Sequence, residues 1–200
     1  MVTQGHEWVE AMFSRKASGY WGILAVAVVI RGIHFGFMYY RDPFFGLLLP
    51  GGDNSAFDRW ALDLSQALFL STDNVPLFHG RLYAYFLVFV YLRFGQLYGA
   101  AVLAQHAIGV LTTVLIYHLG RKVFGRLAGA IAGLMAAFCP IFLLYEGEIL
   151  SDVLILLTNT ALLCLLLRAQ EKNTLKAWAG VGVLLGITIR GRPNKLLFLP

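Results

Sequence analysis

Between Tyr20 and Ile189 the chain holds five apolar segments close to the length that crosses a lipid bilayer, with most of its charges between them. That layout constrains the fold more than any motif does. The hydrocarbon core of a bilayer offers backbone N–H and C=O groups no water. Each segment must therefore satisfy them internally, as a helix of roughly 20 residues. None of the segments alternates as a barrel strand would. Composition agrees: 58% of the residues are hydrophobic and 14% charged, as in a polytopic helical membrane protein and unlike a soluble domain. The expected fold class is all-α, with transmembrane helices at about 20–40, 98–119, 127–145, 150–168 and 177–190, and a further one starting near 194.

Arg15 and Lys16 precede the first apolar run as they would in a signal peptide, but no small-residue cleavage site follows. The run continues past Arg31 to Tyr40, so an uncleaved first membrane helix is expected. The net charge of +5 does not suggest nucleic acid, because the basic residues sit at helix ends and form no single patch.

A loop region of about 55 residues, 41–97, separates the first two spans, a length that usually carries function. Within it Phe57, Trp60, Ala61, Leu64 and Leu68 recur at helical spacing, with Asp58, Arg59, Asp63 and Gln66 on other faces. This predicts an amphipathic helix on the membrane surface. Ser55 and Asp58 are the expected capping pair, and Asp53 lies just ahead of the helix, where its dipole favours a negative charge.

Residues 82–92 are continuously apolar between Arg81 and Arg93, but eleven residues are too few to span. If this segment stays at the interface and the N-terminus is cytoplasmic, Arg121, Lys122, Arg126, Arg168, Lys172 and Lys176 fall inside, as the positive-inside rule favours. The same topology puts Asp53, Glu146, Glu148 and Asp152 together on the outer face. It leaves Arg190, Arg192 and Lys195 there too, against the charge rule, so an anionic partner such as a lipid phosphate is expected for them. If the segment crosses, every later assignment reverses.

A carboxylate beside a hydroxyl can take its proton as the oxygen attacks an activated carbon. A phosphate leaving group then needs fixed cations, for which Arg192 and Lys195 are suited, with Arg81 as a further candidate. Glu148 and Asp152 are four apart at the mouth of a membrane helix, where carboxylates are costly and often functional. Asp42, Asp63 and Asp73 are expected to be merely solvated.

Arg31 and His34 are three apart in the first helix. They read as an inward structural pair or as an arginine balancing an acidic neighbour, with a proton path as the alternative. His79, His106 and His118 lack metal spacing, and Cys139 and Cys164 lie in separate apolar segments. No metal is expected. Gly125, Gly129 and Gly133, and likewise Gly182 and Gly186, have the spacing that lets helices approach closely. No Walker loop, dinucleotide fingerprint or nucleophile elbow is present.

These residues in this order resemble the membrane-embedded GT-C glycosyltransferases, in the branch of protein mannosyltransferases and aminoarabinose transferases. Asp53 through Ala61 is similar to the first outer-loop acidic motif of that family. His79-Gly80-Arg81-Leu82-Tyr83-Ala84-Tyr85-Phe86-Leu87 resembles its proline-leucine-tyrosine segment, although Arg81 stands where proline is usual. Tyr145 through Asp152 resembles the second acidic motif, and Gly186 through Pro193 the arginine-proline helix start.

The resemblance implies a multi-pass enzyme of a bacterial inner membrane, its active site facing outward, that uses a polyprenyl-phosphate-linked sugar as substrate. Besides membrane lipids, it implies no cofactor and no nucleic-acid partner, and it leaves the acceptor open. Asp53 would be the base, Asp152 with Glu148 the second acidic position, Arg192 a phosphate-binding residue, and Tyr83 a substrate contact in the segment that Arg81 opens. The family module has about seven membrane helices, so the chain reads as its N-terminal part, inactive by itself. A transporter or flippase piece for a lipid-linked anion, or a non-catalytic assembly subunit, are the other readings.

Overall fold

A computed structural model describes residues 18–66 and 81–191. Arg15, Lys16, Leu68, Asp73, His79, Arg192, Lys195 and the helix expected from 194 lie outside the described residues. The elements are α1 (Ser18–Arg41), α2 (Asp53–Gln66), α3 (Arg81–Phe94), α4 (Tyr98–Phe124), α5 (Arg126–Phe138), α6 (Pro140–Gly147), α7 (Asp152–Lys172) and α8 (Leu175–Gly191). The described residues contain no strand.

α1, α4 and α7 are each long and apolar enough to cross a membrane, and α5 with α6 would make a fourth span. Their outward faces are apolar. Val28, Val29, Ile33 and Phe37 of α1, Leu103 and Leu111 of α4, and Ile131 and Met135 of α5 are all exposed. A soluble protein would bury such a belt, whereas lipid is its natural solvent. The protein is an all-α polytopic membrane protein.

The span expected at 127–145 is not one helix. It breaks at Cys139 and bends by 45° between α5 and α6. Pro140, the first residue of α6, has no N–H for the ladder, and its ring clashes with the preceding turn. Beyond the break Ile141 and Leu144 stay exposed, while Glu146 and Gly147 at the end of α6 are buried.

α1 and α4 run antiparallel. Tyr20 bonds His118 at 2.7 Å at one end of the pair, and His34 bonds His106 at 3.0 Å towards the other. Phe45, just past α1, packs on Tyr98 at the start of α4. α1 therefore ends and α4 begins at the same end of the bundle, and the intervening α3 has only 14 residues, fewer than a span needs. α4 and α5 form a tight hairpin. A Cβ on Gly129 would sit 2.6 Å from the Arg121 backbone nitrogen, and one on Gly133 would sit 3.0 Å from Tyr117 Cβ. Only glycine allows that approach. The other expected small-residue contacts differ. Gly125, at φ 94°, forms the turn between the helices, and a Cβ on Gly182 or Gly186 would meet nothing within 4 Å.

At the loop end, the apolar face of α2 (Phe57, Ala61 and Leu64) packs on Tyr83, Leu87 and Val88 of α3, with Ala101 of α4 and Ile149 closing the same core. This core joins the loop helices to the turn between α6 and α7.

Candidate active site

Two of the carboxylates singled out by sequence open helices. Asp53 is the first residue of α2, and Asp152 is the first residue of α7. The local sequence dictates the α2 start. Leu49-Pro50-Gly51-Gly52 closes with the Gly52 N–H donating to Leu49 O at 3.0 Å, and Gly51 has φ 82°. Proline second and a positive-φ glycine third is the signature of a type II turn. The turn delivers the chain into the helix with Asp53 exposed to solvent.

The expected Ser55–Asp58 capping pair does not form. Ser55 Oγ donates to Gly52 O at 2.9 Å, and the Ser55 N–H donates to Asn54 Oδ1 at 2.8 Å. Asp58 is instead buried. It accepts from the Tyr91 hydroxyl at 2.6 Å and from Gln96 Nε2 at 3.0 Å. Tyr91 sits one helix away in space, and a strong buried donor outcompetes the exposed helix end for the carboxylate. Burial, followed by the bond to Asp58, pushes the Tyr91 hydroxyl above its ordinary value, because both favour the neutral phenol.

The turn from Glu146 to Asp152 is clamped from α4. Gln105, which is fully buried, donates through Nε2 to the carbonyls of Glu146 (2.9 Å) and Glu148 (2.7 Å). Its Oε1 accepts from the Tyr83 hydroxyl. Tyr98 adds a donation to Gly147 O at 3.0 Å and a longer one to Glu148 Oε2 at 3.4 Å. Tyr83 is 1% exposed with its hydroxyl committed to Gln105, and it supports the clamp from within the core. Burial holds its hydroxyl well above the ordinary tyrosine value.

Glu146 lies deeper than its neighbours. Arg31 of α1 donates to its Oε1 at 2.7 Å, and both side chains are almost wholly buried. The acidic neighbour that Arg31 balances is therefore Glu146. His106 Nδ1 lies 3.9 Å from Glu146 Oε2, and the His106 ring stacks on His34 with centroids 5.2 Å apart. Gly109 makes room for this carboxylate, since a Cβ there would fall 2.0 Å from Glu146 Oε1.

A cleft of about 210 Å³ opens beside the pair, lined by Gly109, Thr112, Tyr145, Glu146, Asp152 and Asn159 among apolar side chains. Its lining is mostly apolar, with Glu146 and Asp152 among the polar groups. Among the described residues no group of His, Cys, Asp and Glu could hold a metal ion.

Tyr83, Glu148 and the turn before Asp152 thus meet on one clamp, and Asp152 lines the cleft. Asp53 makes no hydrogen bond or ion pair to Glu148 or Asp152. Its helix shares a core with their turn, through Phe57, Tyr83 and Ile149. Of Arg81 only the backbone is described, as the first residue of α3, and Arg192 and Lys195 lie outside the described residues. Gln105 is the residue that sequence reading passed over. Its signal was a polar side chain in the middle of the apolar run Ala100–Ala107, where such residues are rare and seldom idle.

No curated protein sequence and no solved structure is significantly similar to the chain. Residues 78–200, more than half of it, match the dolichyl-phosphate-mannose-protein mannosyltransferase family, a stretch that takes in the clamp, the acidic turn and the cleft but begins after Asp53. With its all-helical membrane fold, the chain belongs to that family of glycosyltransferases.

Proposed function

We propose that this chain carries the catalytic face of an enzyme that moves a sugar from a polyprenyl-phosphate donor to an acceptor hydroxyl at the non-cytoplasmic face of a bacterial inner membrane. The observation that carries the reading is the family match across the acidic turn, which borders the cleft of about 210 Å³ beside Asp152. In this reading Asp53 takes the acceptor proton as the acceptor oxygen bonds to the anomeric carbon. The bond from that carbon to the phosphate oxygen breaks, its electron pair leaves with the polyprenyl phosphate, and the configuration inverts. Asp152, with Glu148, forms the second acidic wall against the sugar. Arg192, Lys195 and Arg81 offset the charge that grows on the phosphate.

The test is sugar transfer from a polyprenyl-phosphate donor by membranes expressing the full reading frame. Asp53→Asn keeps the shape of the side chain and removes the base, so turnover should fall by about two orders of magnitude or more. Turnover near the wild-type rate would remove Asp53 from the mechanism. Asp152→Asn should also lower turnover.

A further inference from the structure

The opposite end of the bundle holds a basic hollow. α7 ends at Lys172, Asn173 turns the chain with φ 40°, and α8 starts at Leu175. A cavity of about 410 Å³ lies in this turn, lined by Leu165, Arg168, Lys172, Thr174, Lys176 and Gly180. Three cations from two helices thus border one hollow. Asp152 lies at the far end of α7, and after it the chain has one carboxylate, Glu171. Glu171 is paired with Lys122 of α4 at 2.8 Å.

The surroundings are those of a membrane interface. Leu175 is 88% exposed at the rim, and Trp178 is exposed with its indole N–H directed to Asn173 Oδ1 at 3.4 Å. Tryptophan with a tethered polar end and an apolar face belongs at the headgroup level of a bilayer.

We infer that the cavity bounded by Arg168, Lys172 and Lys176 binds the phosphate of an anionic glycerophospholipid, whose acyl chains lie along the apolar faces of α7 and α8. Arginine forks a phosphate, while the two lysines supply point charges on long flexible stems. Basic hollows between membrane helices recognise anionic headgroups in this way. The site lies a full span from the acidic turn, so it takes no part in the chemistry proposed there and stands or falls without it.

The test uses the full chain in detergent, mixed with phosphatidylglycerol and phosphatidylcholine, with bound lipid read by native mass spectrometry. Wild-type protein should retain phosphatidylglycerol in preference to phosphatidylcholine. Each of Lys172→Gln and Lys176→Gln should cut that preference roughly fivefold, and Lys172→Arg should restore most of it. Both lysines are exposed, so these variants put little of the fold at risk. Arg126→Gln, at the same end but outside the cavity, should leave the preference unchanged. Equal loss from Arg126→Gln would show a diffuse basic surface and overturn the site, as would equal retention of the two lipids by wild type. Displacement of bound phosphatidylglycerol by inorganic phosphate alone would show that the hollow reads a free anion, which also overturns it.

Discussion

Glu146 receives its counter-ion from a residue 115 positions earlier in the chain, and the pair is closed off from water. Breaking such a pair leaves an uncompensated charge in an apolar interior, which costs about 3–5 kcal/mol. Gly109→Ala tests the packing side of this without touching either charge. The new methyl would collide with the carboxylate and drive it from Arg31. A loss of about 2–4 kcal/mol is expected, read as unfolding against the mole fraction of a denaturing detergent. Wild-type stability would mean that the carboxylate has another resting place. Tyr83 and Tyr91 make a pH prediction. Both hydroxyls are raised above the ordinary tyrosine value near 10, chiefly by burial. Below pH 10 folded and unfolded chains hold the same phenolic protons, so these groups add no slope. Above it the unfolded chain ionises while the folded one stays neutral, so stability falls as pH rises. Tyr91→Phe should flatten part of that alkaline loss. At neutral pH it should cost about 1–2 kcal/mol for the bond to Asp58.

Helices were legible from the sequence where one physical requirement dominated. α1, α4 and α7 follow from apolar length alone, and α2 from the spacing of Phe57, Ala61 and Leu64. The break at Cys139 was marked by Pro140, but hydropathy runs unbroken across it and hides the bend. Asp58 was misplaced because capping is local, whereas its partner Tyr91 lies 33 residues further on. The Gln105 clamp needs three segments brought together, which no linear pattern records. The glycine spacings show the same limit. Gly129 and Gly182 read alike in sequence, yet only Gly129 lies against a neighbouring backbone. Gly129→Ala should force α4 and α5 apart and cost about 1–3 kcal/mol. Gly182→Ala meets open space, and should be neutral or gain up to about 1 kcal/mol from helix propensity. The two variants should therefore separate clearly in detergent unfolding. Equal effects would mean that the α4–α5 hairpin is looser than its geometry.

The whole bundle has two unlike ends. One carries Asp53, the clamp, Glu148 and Asp152. The other gathers Arg121, Lys122, Arg126, Arg168, Lys172 and Lys176 around the turns that join α4 to α5 and α7 to α8. The two short turns at this end concentrate lysine and arginine as cytoplasmic loops do, while the arginines of the other end stand among most of the carboxylates, so the basic end should face the cytoplasm and the acidic end the outside. The two features rest on different physics, charge bias for sidedness and the antiparallel α1–α4 pair for the return of the loop, so one experiment can examine both. With Cys139 and Cys164 replaced by serine, single cysteines are placed at Asp63 and Gln96 on either side of α3, and at Phe124 and Gln170 at the basic end. All four positions are exposed. A membrane-impermeant maleimide should label Asp63→Cys and Gln96→Cys on intact cells, and Phe124→Cys and Gln170→Cys only after permeabilisation. Labelling that divides Asp63 from Gln96 would mean that α3 crosses the bilayer, against the packing of α1 on α4. If the two pairs instead exchange sides together, the fold stands but the acidic turn faces the cytoplasm, and the proposed outward-facing transfer is lost.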